Sequence, residues 1–358
     1  MTGNEAIGEG AIQGSCDLYA GYPITPQNEI TAYMAKRMIE EGRVFIQAES
    51  ELAAINMVLG ASAAGARAMT SSSSPGISLK QEGISYLAGC ELPCVVVNIM
   101  RGGPGLGNIA PSQSDYFQAT KGGGHGDYRC IVLAPSSVQE AFDLMVLSFE
   151  LADRYRNPVL LLGDGMLGQM MEPLSVFGSR VSGSGKTVSR IPYPVSRKKW
   201  ALTGCKNREP NIIRSLYLKE GRLEELNKGL QKKYQEVQAK QQRWEDLFLG
   251  DARIILVAYG TVARIAKSVV KQLREKGKKI GLIRPISLWP FPNKIFERVT
   301  SSKQRVTFLV IEMSHGQMIE DVKLAVEARA PVEFFGRAGG GIPSEEQIIK
   351  MLHKVTRC

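Results

Sequence analysis

Six short runs of apolar, largely β-branched residues recur along the first half of this chain, and stretches with helical periodicity separate them. Strands of that composition suit a sheet that is buried on both faces. Alternating strands and helices favour a doubly wound, mostly parallel sheet, because parallel neighbours must be joined by a crossover. We therefore predict an α/β domain over residues 1–174, with strands at 18–20, 44–46, 68–70, 95–99, 131–133 and 159–162.

The same alternation returns in the last third of the chain. Residues 251–358 are expected to form a second, smaller doubly wound α/β domain, because strand and helix patterns alternate there again. Between the two domains, residues 175–212 are rich in Gly, Ser, Pro and basic residues and are interpreted as a linker. In 213–248, apolar residues recur at steps of three, four and seven, which predicts one long helix with an apolar stripe.

Composition restricts the class of protein. The chain has 358 residues, enough for two domains with sizeable cores. No apolar run approaches the roughly 20 residues that span a bilayer, and the N-terminus lacks the basic and apolar regions of a signal peptide. We expect a cytoplasmic protein without a membrane segment. The 6 cysteines are scattered without C-x-x-C spacing, which fits free thiols in a reducing compartment better than a zinc or iron–sulfur site.

The net charge of +10 raises the question of nucleic-acid binding, but its distribution argues against it. Residues 176–243 hold 16 Lys and Arg against 5 Asp and Glu, a net of +11, so the remainder of the chain sums to −1. Few aromatic residues are interleaved with these basic ones. A solvated surface or a docking face for an acidic partner is favoured over a nucleic-acid groove.

Three polar residues follow predicted strands and are candidates for a site. Glu51 begins a helical run, Thr25 precedes Pro26, and Arg101 enters a glycine-rich turn. The carboxyl ends of parallel strands meet at the edge where α/β sheets bind ligands, so we expect the three to converge. Structural readings compete with this one: Glu51 as a first-turn acid on the helix dipole, Thr25 as an N-cap with proline at the first helical position, and Arg101 as a surface arginine of a tight turn.

Two loops offer weaker signals. The Ser-Ser-Ser-Ser-Pro-Gly run at 71–76 is either an anion cradle of N–H and hydroxyl groups or a plain loop. The loop at 122–127 is glycine-rich and resembles a flexible catalytic loop, although its His125 alone is more often structural.

Two phosphate-binding patterns are incomplete. The Gly-Ser-Gly-Lys-Thr sequence at 183–187 lacks the first glycine of a P-loop, since Arg180 stands there, and we reject it. Gly-Asp-Gly at 163–165 begins a thiamine-diphosphate motif, but no asparagine occurs between Asp164 and Asn207. We therefore do not expect this chain to hold a metal or a pyrophosphate by itself.

Several longer motifs occur in a fixed order, and together they resemble a known family. They are Tyr-Pro-Ile-Thr-Pro at 22–26, Gln-Ala-Glu-Ser-Glu at 47–51, Ser-Ser-Ser-Ser-Pro-Gly-Ile-Ser at 71–78, Arg-Gly-Gly-Pro-Gly at 101–105, Gly-Leu-Ile-Arg-Pro-Ile-Ser-Leu-Trp-Pro at 281–290 and Gly-Arg at 336–337. The chain resembles the α subunit of 2-oxoacid:ferredoxin oxidoreductases, most of all the ketoisovalerate type. The match is close over 1–174 and 251–358 and poor over the linker.

The resemblance implies a fold and a set of partners. The first domain would be the pyrimidine-binding domain of a thiamine-diphosphate enzyme, and the second would be like the transketolase C-terminal domain. The cofactor would be shared with a β subunit that binds the pyrophosphate and Mg²⁺. A γ subunit and a ferredoxin-like δ subunit would complete the enzyme, with [4Fe-4S] clusters on the partner subunits. Coenzyme A would be the co-substrate and ferredoxin the electron acceptor.

The resemblance also implies residue roles. Glu51 matches the catalytic glutamate that hydrogen-bonds the pyrimidine ring of the cofactor, and Tyr22 and Pro23 would line the same cofactor site. Arg101 and Thr25 match the pair that binds the carboxylate of the 2-oxoacid. We expect oxidative decarboxylation of a branched-chain 2-oxoacid, 3-methyl-2-oxobutanoate, with 2-oxoglutarate as the nearest rival substrate. A non-catalytic nucleotide- or anion-binding module that uses residues 71–76 is the alternative from another class.

Overall fold

The computed structural model describes residues 1–176, 198–302 and 305–355. Most of the predicted linker, 177–197, and with it the rejected sequence at 183–187, lies outside the described residues. The strands are β1 Leu18–Gly21, β2 Val44–Gln47, β3 Ala68–Ser72, β4 Cys94–Met100, β5 Ile131–Leu133, β6 Pro158–Asp164, β7 Trp244–Leu247, β8 Ile254–Val257, β9 Ile280–Pro285, β10 Ser287–Trp289, β11 Thr307–Glu312 and β12 Val332–Gly336.

Helices connect most of these strands, as the alternating pattern requires. They are α1 Gly3–Gln13, α2 Asn28–Glu40, α3 Glu51–Ala63, α4 Ser74–Gly89, α5 Val138–Tyr155, α6 Gly165–Gln169, α7 Arg222–Lys240, α8 Gly260–Glu275, α9 Asn293–Thr300, α10 Met318–Val326 and α11 Glu345–Val355. A single π-helical turn spans Gln118–Gly122.

In the described ranges, the strands form two sheets. The first has seven strands in the order β10-β5-β6-β4-β3-β1-β2, and the second has five in the order β12-β11-β8-β9-β7. All six strands of the first half are parallel. Every residue of β4 and of β6 is buried, because helices cover both faces of the sheet. The predicted α/β fold is confirmed.

The predicted long helix over 213–248 is wrong in extent. Helix α7 covers only Arg222–Lys240, and it buries Leu230, Tyr234 and Val237. Residues Trp244 and Leu247, which continued the apolar stripe in sequence, lie in β7, which pairs antiparallel with β9. The pattern alone could not show this, because β7 is an edge strand held by its pairing with β9, a contact that is distant in sequence.

The two sheets are joined by a strand that leaves its own sheet. Strand β10 follows β9 directly in sequence but pairs antiparallel with β5 of the first sheet. Polar contacts add to this join: Gln113 bonds the backbone of both Tyr259 and Met313 with its side-chain amide, at 2.9 Å in each case. The two sheets therefore share one continuous buried cluster of side chains.

Within the described ranges, no helix is both long and apolar enough to cross a lipid bilayer. Five of the six cysteines fall in these ranges, and each of the five carries a free thiol.

Candidate active site

The parallel strands of the first sheet end together at one edge. Gly21, the last residue of β1, pairs with Gln47, the last of β2, and Met100 pairs with Asp164 at the ends of β4 and β6. The segments that follow these ends carry the predicted site residues. The register therefore brings them to the edge where α/β sheets bind ligands.

Glu51 lies at the start of α3 and is buried. Ser50 caps the helix by accepting a hydrogen bond from Ala53 N at 3.2 Å, which sets the helix to begin at Glu51. Only 6% of Glu51 is exposed, so the reading of a solvent-exposed first-turn acid is wrong. Among the described residues its carboxylate has no hydrogen-bond donor. A buried carboxylate without a donor is expected to meet one from a ligand.

Helix α4 begins against Glu51, and Gly76 makes this approach possible. A Cβ at Gly76 would overlap Ser72 Oγ and would come within 2.5 Å of Glu51 Oε1. Glycine in the first turn of α4 is therefore what lets the Glu51 carboxylate lie against the helix. Close by, the hydroxyl oxygens of Ser72 and Ser73 are buried without a partner in the described chain.

Arg101 lies at the end of β4 with only 7% of its surface exposed. Its Nη1 donates to the carbonyl oxygen of Thr25 at 3.0 Å and its Nη2 to that of Leu106 at 3.2 Å. Its Nε has no partner, and no carboxylate of the described chain forms an ion pair with it. A buried guanidinium without a counter-charge is a site prepared for an anion.

Thr25 is exposed beside Arg101, and the interpretation of Thr25 as an N-cap is wrong. Helix α2 begins at Asn28, with Gln27 at the cap position. The Thr25 hydroxyl instead accepts a hydrogen bond from the Asn28 side chain at 3.3 Å and stands free to bond outward. Tyr22 and Pro23 are exposed in the same segment. The segment 22–26 therefore lines the edge rather than starting a helix.

Ser74 and Asp115 link the Glu51 side of this edge to Arg101. Ser74 Oγ accepts from Arg101 N at 3.0 Å and donates to Asp115 Oδ2 at 2.6 Å. Asn98 also donates to Asp115 Oδ2, at 2.9 Å. Burial raises the pKa of Asp115, and the hydrogen bonds from Ser74 and Asn98 oppose that rise. The network fixes the start of α4 to the end of β4.

The serine run at 71–76 is only partly available as an anion cradle. Ser71 Oγ is bonded to Gln27 Oε1 at 2.6 Å and to Tyr19 Oη at 2.7 Å, and Ser74 belongs to the network described above. The hydroxyls of Ser72 and Ser73 have no partner in the described chain and remain as donors to an anion. His125 is exposed, with its ring edge-on to Tyr86 and its carbonyl oxygen bonded by Ser85, so its contacts in the described part of the chain are structural.

Asp164 of the incomplete motif has a structural role in this chain. Its carboxylate caps α6 by accepting from Met166 N at 3.0 Å and Leu167 N at 3.1 Å, and it accepts from the Thr261 hydroxyl at 3.0 Å. Burial raises its pKa, and these hydrogen bonds oppose the rise. In the described ranges, no group of His, Cys, Asp and Glu side chains is arranged to hold a metal ion.

Lys80 and Asp115 belong to this edge but were missed from the sequence. Lys80 lies on α4 and is fully buried, with its Nζ 3.1 Å from the carbonyl oxygen of Glu51. A lysine on a helix is usually solvated, and nothing in the local pattern distinguishes this one. Asp115 follows no strand of its own, so its position could not be derived from strand ends.

Comparison with known proteins matches this architecture. A family model described as pyruvate flavodoxin/ferredoxin oxidoreductase, thiamine diphosphate-binding, matches residues 9–216, and one described as pyruvate:ferredoxin oxidoreductase core domain II matches 252–348. The ketoisovalerate oxidoreductase subunit VorB of Methanothermobacter marburgensis is 49% identical over 99% of this chain and 97% of its own length. The 2-oxoglutarate synthase subunit KorA of Archaeoglobus fulgidus is 39% identical over 94% of each chain.

Solved structures agree. A 2-oxoglutarate:ferredoxin oxidoreductase from Magnetococcus marinus, with 2-oxoglutarate, coenzyme A and succinyl-CoA bound, superposes with a TM-score of 0.81 at 27% identity. The match covers 99% of this chain but 64% of that one, so the present chain spans less than two thirds of its solved relative. A split-gene transketolase, an inactive β4 tetramer, shares the fold, with a TM-score of 0.61 at 14% identity.

The fold and the matched models define an α/β enzyme with a thiamine-diphosphate-binding domain. The chain belongs to the family of 2-oxoacid:ferredoxin oxidoreductases, as a subunit of an oxidoreductase.

Proposed function

We propose that this chain is the α subunit of a thiamine-diphosphate-dependent oxidoreductase that decarboxylates 3-methyl-2-oxobutanoate, forming an acyl-CoA and CO₂ and reducing ferredoxin. One observation carries the proposal. A buried carboxylate without a donor, Glu51, and a buried guanidinium without a counter-charge, Arg101, lie at one sheet edge and are joined through the start of α4. Such a pair suits a cofactor that presents a ring nitrogen to Glu51 and a substrate that presents a carboxylate to Arg101.

The residues present fit the pyrimidine half of the cofactor. The Glu51 carboxylate lacks a partner and would hydrogen-bond a ring nitrogen, while Tyr22 and Pro23 would line the same site from the neighbouring segment. Thiamine diphosphate supplies the carbon nucleophile and the electron sink that decarboxylation of a 2-oxoacid requires. The contribution of Glu51 is to hold or share a proton at the ring nitrogen, which is general acid–base work.

Arg101 and Thr25 suit the carboxylate of the substrate. Two of the guanidinium nitrogens of Arg101 already bond backbone carbonyls, which fix its plane, and its Nε remains without a partner. A charge-assisted hydrogen bond to the substrate carboxylate would satisfy this Nε–H donor and would orient the neighbouring keto carbon. The Thr25 hydroxyl is exposed beside it and can donate to the same carboxylate.

The rest of the reaction is assigned to partners. The motif at 163–165 lacks its asparagine, and Asp164 Oδ1 already caps α6 and accepts from Thr261, so we assign the pyrophosphate and Mg²⁺ to a β subunit. The described cysteines are scattered and mostly buried, so the [4Fe-4S] clusters that pass electrons to ferredoxin are assigned to partner subunits, a γ subunit and a ferredoxin-like δ subunit among them. Coenzyme A would take the acyl group, as the solved relative with bound coenzyme A suggests.

The branched-chain substrate is favoured by relatedness. The two ketoisovalerate relatives are 49% and 48% identical, whereas the four 2-oxoglutarate relatives are 35–39% identical. The second candidate is 2-oxoglutarate, since the superposed structure holds that substrate. A distal carboxylate would need a further buried cation beside Arg101, and Lys80 is already committed to the Glu51 carbonyl.

The test is viologen reduction by the natively isolated complex, with coenzyme A, on 3-methyl-2-oxobutanoate and on 2-oxoglutarate. We expect higher kcat/KM with the branched acid. Preference for 2-oxoglutarate would overturn the substrate and keep the roles of Glu51, Thr25 and Arg101. No reduction with either acid, by a complex shown to contain thiamine diphosphate, would refute the proposed function and favour a binding module.

A further inference from the structure

Lys80 is a buried cation next to the proposed catalytic carboxylate. It lies on α4 with no exposed surface, and its Nζ donates to the carbonyl oxygen of Glu51 at 3.1 Å. Among the described residues it forms no ion pair with a carboxylate. A buried ammonium with one hydrogen bond to a neutral carbonyl is energetically costly, so plain packing does not explain it.

The surroundings of Lys80 leave Glu51 as the charge that acts on it. Helix α4 packs against α3, β4 and β6. Glu51 is the one charged side chain of α3, and β4 has none. On β6, Asp164 accepts three hydrogen bonds through its Oδ1. Asp115, which lies against the start of α4, is bonded by Ser74 and Asn98. On α4 itself, Glu82 is exposed and bonded by Tyr86.

The ionisation of Lys80 reflects this balance. Burial lowers the pKa of Lys80 to about 8, and the charge of Glu51 acts in the opposite direction. The side chain is therefore mostly charged at neutral pH and loses its proton as the pH rises through about 8. The charges of Lys80 and Glu51 therefore interact in this buried region.

We propose that Lys80 is a positioning residue: it fixes the first turn of α3, and its charge strengthens the bond that Glu51 makes to the pyrimidine nitrogen. This inference rests on the proposed function, because it acts only through Glu51. The hydrogen bond to the Glu51 carbonyl restrains the backbone from which the carboxylate extends. The ammonium, held in a medium of low polarity, adjusts how the proton is shared between carboxylate and ring nitrogen.

The experiment compares two ligands on the assembled oxidoreductase. One is thiamine diphosphate, and the other is an analogue with carbon in place of the ring nitrogen that would face Glu51. The preference for the cofactor, measured by calorimetry, reports the bond that Glu51 makes. We expect Lys80→Met to reduce this preference about tenfold, and Lys80→Arg to restore part of it. Ile84→Met, a volume-conserving change at a buried apolar position of the same helix, is expected to leave it unchanged.

A second readout needs no variant. From about pH 6 to about pH 10, the preference of the unmodified enzyme is expected to fall as Lys80 loses its proton, and to become flat in Lys80→Met. A flat profile in the unmodified enzyme would overturn the inference even if Lys80→Met failed to assemble. Equal loss of both ligands in Lys80→Met would also overturn it, since that is the result of a merely structural role. If the unmodified enzyme does not distinguish the ligands at any pH, the role of Glu51 fails and the proposed function fails with it.

Discussion

At the residue scale, Glu51 can be tested with little structural risk, because its carboxylate receives no hydrogen bond from the described chain. Glu51→Gln keeps the shape and removes the charge. We expect turnover to fall by at least about 100-fold, since general acid–base groups contribute about that much. The thermal midpoint and the subunit composition of the complex should stay unchanged. Viologen reduction measures the turnover, thermal unfolding the midpoint and analytical gel filtration the composition. Substantial remaining turnover would remove Glu51 from the mechanism.

Arg101 should affect substrate use more than stability. In Arg101→Ala we expect KM for the 2-oxoacid to rise about 10- to 100-fold, because a hydrogen bond to a charged group contributes about 1.5–3 kcal/mol. Arg43→Ala is a matched control, since Arg43 also bonds two backbone carbonyls, those of Ile12 and Cys16, but away from the site. Steady-state kinetics would measure KM for the 2-oxoacid in both variants. An unchanged KM in Arg101→Ala, or an equal rise in Arg43→Ala, would refute binding of the substrate carboxylate by Arg101.

Replacing Lys80 should raise the free energy of unfolding while it impairs function. Burial lowers the pKa of Lys80 from about 10.5 in the unfolded chain to about 8 in the folded protein, so the native state binds fewer protons than the unfolded state between these two values. Stability is therefore reduced at pH 7 and recovers as the pH rises through that window. Lys80→Met should add about 3 kcal/mol at pH 7, by 1.36 kcal/mol per pKa unit, and progressively less above about pH 8. Urea unfolding across this pH range would test it, and a destabilised Lys80→Met at pH 7 would contradict it.

The site residues that the sequence could predict are those placed by strand ends and by family motifs. Glu51 and Arg101 begin the segments after β2 and β4, so the parallel register alone brings them to one edge. The N-cap assignment of Thr25 failed because capping depends on where α2 begins, and that is set by Gln27 and its contacts. Lys80 could not be predicted, because whether a helical lysine is buried depends on the packing of α3 against α4.

At the element scale, parallel strands buried on both faces were predictable and marginal strands were not. The six strands of the first half are recognisable since each is an apolar run between helices. Strand β10 has three residues and pairs with a strand more than 150 positions earlier, so no local pattern marks it. Strand β7 continues the apolar spacing of α7, and only its pairing with β9 separates it from the helix.

The join between the two sheets also depends on a side-chain pair that sequence does not reveal. Arg284 of β9 holds Glu140 of α5 with two hydrogen bonds of 2.9 Å, and it bonds Glu245 of β7 at 2.7 Å. Arg284 is 6% exposed. Burial opposes ionisation of Glu245, yet hydrogen bonds from Lys267 and Arg284 outweigh it and lower the pKa of Glu245. Glu245 and Arg284 are therefore both charged in the folded protein at neutral pH.

Removing Arg284 should destabilise the chain markedly. Arg284→Met leaves two carboxylates without their guanidinium, and breaking a buried pair costs about 3–5 kcal/mol. Arg298→Ala is the control, because its bond to Asp246 is exposed and such pairs contribute about 0–1 kcal/mol. Differential scanning fluorimetry of both variants would compare them. A shift in Arg284→Met no larger than that in Arg298→Ala would show that the pair does not hold the sheets together.

At the scale of the whole molecule, the basic charge belongs to the connecting region and not to the site. Of that region, 198–243 is described. Helix α7 buries Leu230, Tyr234 and Val237 in the main cluster, and the Tyr234 ring lies edge-on to Trp289 of β10, with 5.7 Å between the ring centroids. Gln231 and Lys233 bond the loops that hold Asp127 and Glu91. The buried part of the stripe is therefore satisfied within the chain. Exposed apolar residues of the region include Ile212, Leu216 and Leu218 before the helix and Leu223 in its first turn.

The whole-molecule prediction is that this chain alone does not bind thiamine diphosphate tightly. It provides Glu51 for the pyrimidine, but Asp164 is 1% exposed, and its Oδ1 already accepts from Met166, Leu167 and Thr261. Without a metal site among the described residues, the pyrophosphate loses the strongest anchor available to a polyanion. We expect affinity for the cofactor to be at least about 100-fold weaker in the isolated chain than in the complex, as two charge-assisted bonds are lost.

Mg²⁺ provides the internal control for that measurement. Chelation should weaken cofactor binding to the complex and leave binding to the isolated chain unchanged. Asp164→Asn should lower the thermal midpoint, since the cap of α6 and the bond to Thr261 weaken, but it should not alter the Mg²⁺ dependence of the complex. Calorimetric titrations with and without a chelator test both. Tight, Mg²⁺-dependent binding by the isolated chain, abolished by Asp164→Asn, would mean that Asp164 turns to the metal and that the pyrophosphate site lies on this subunit.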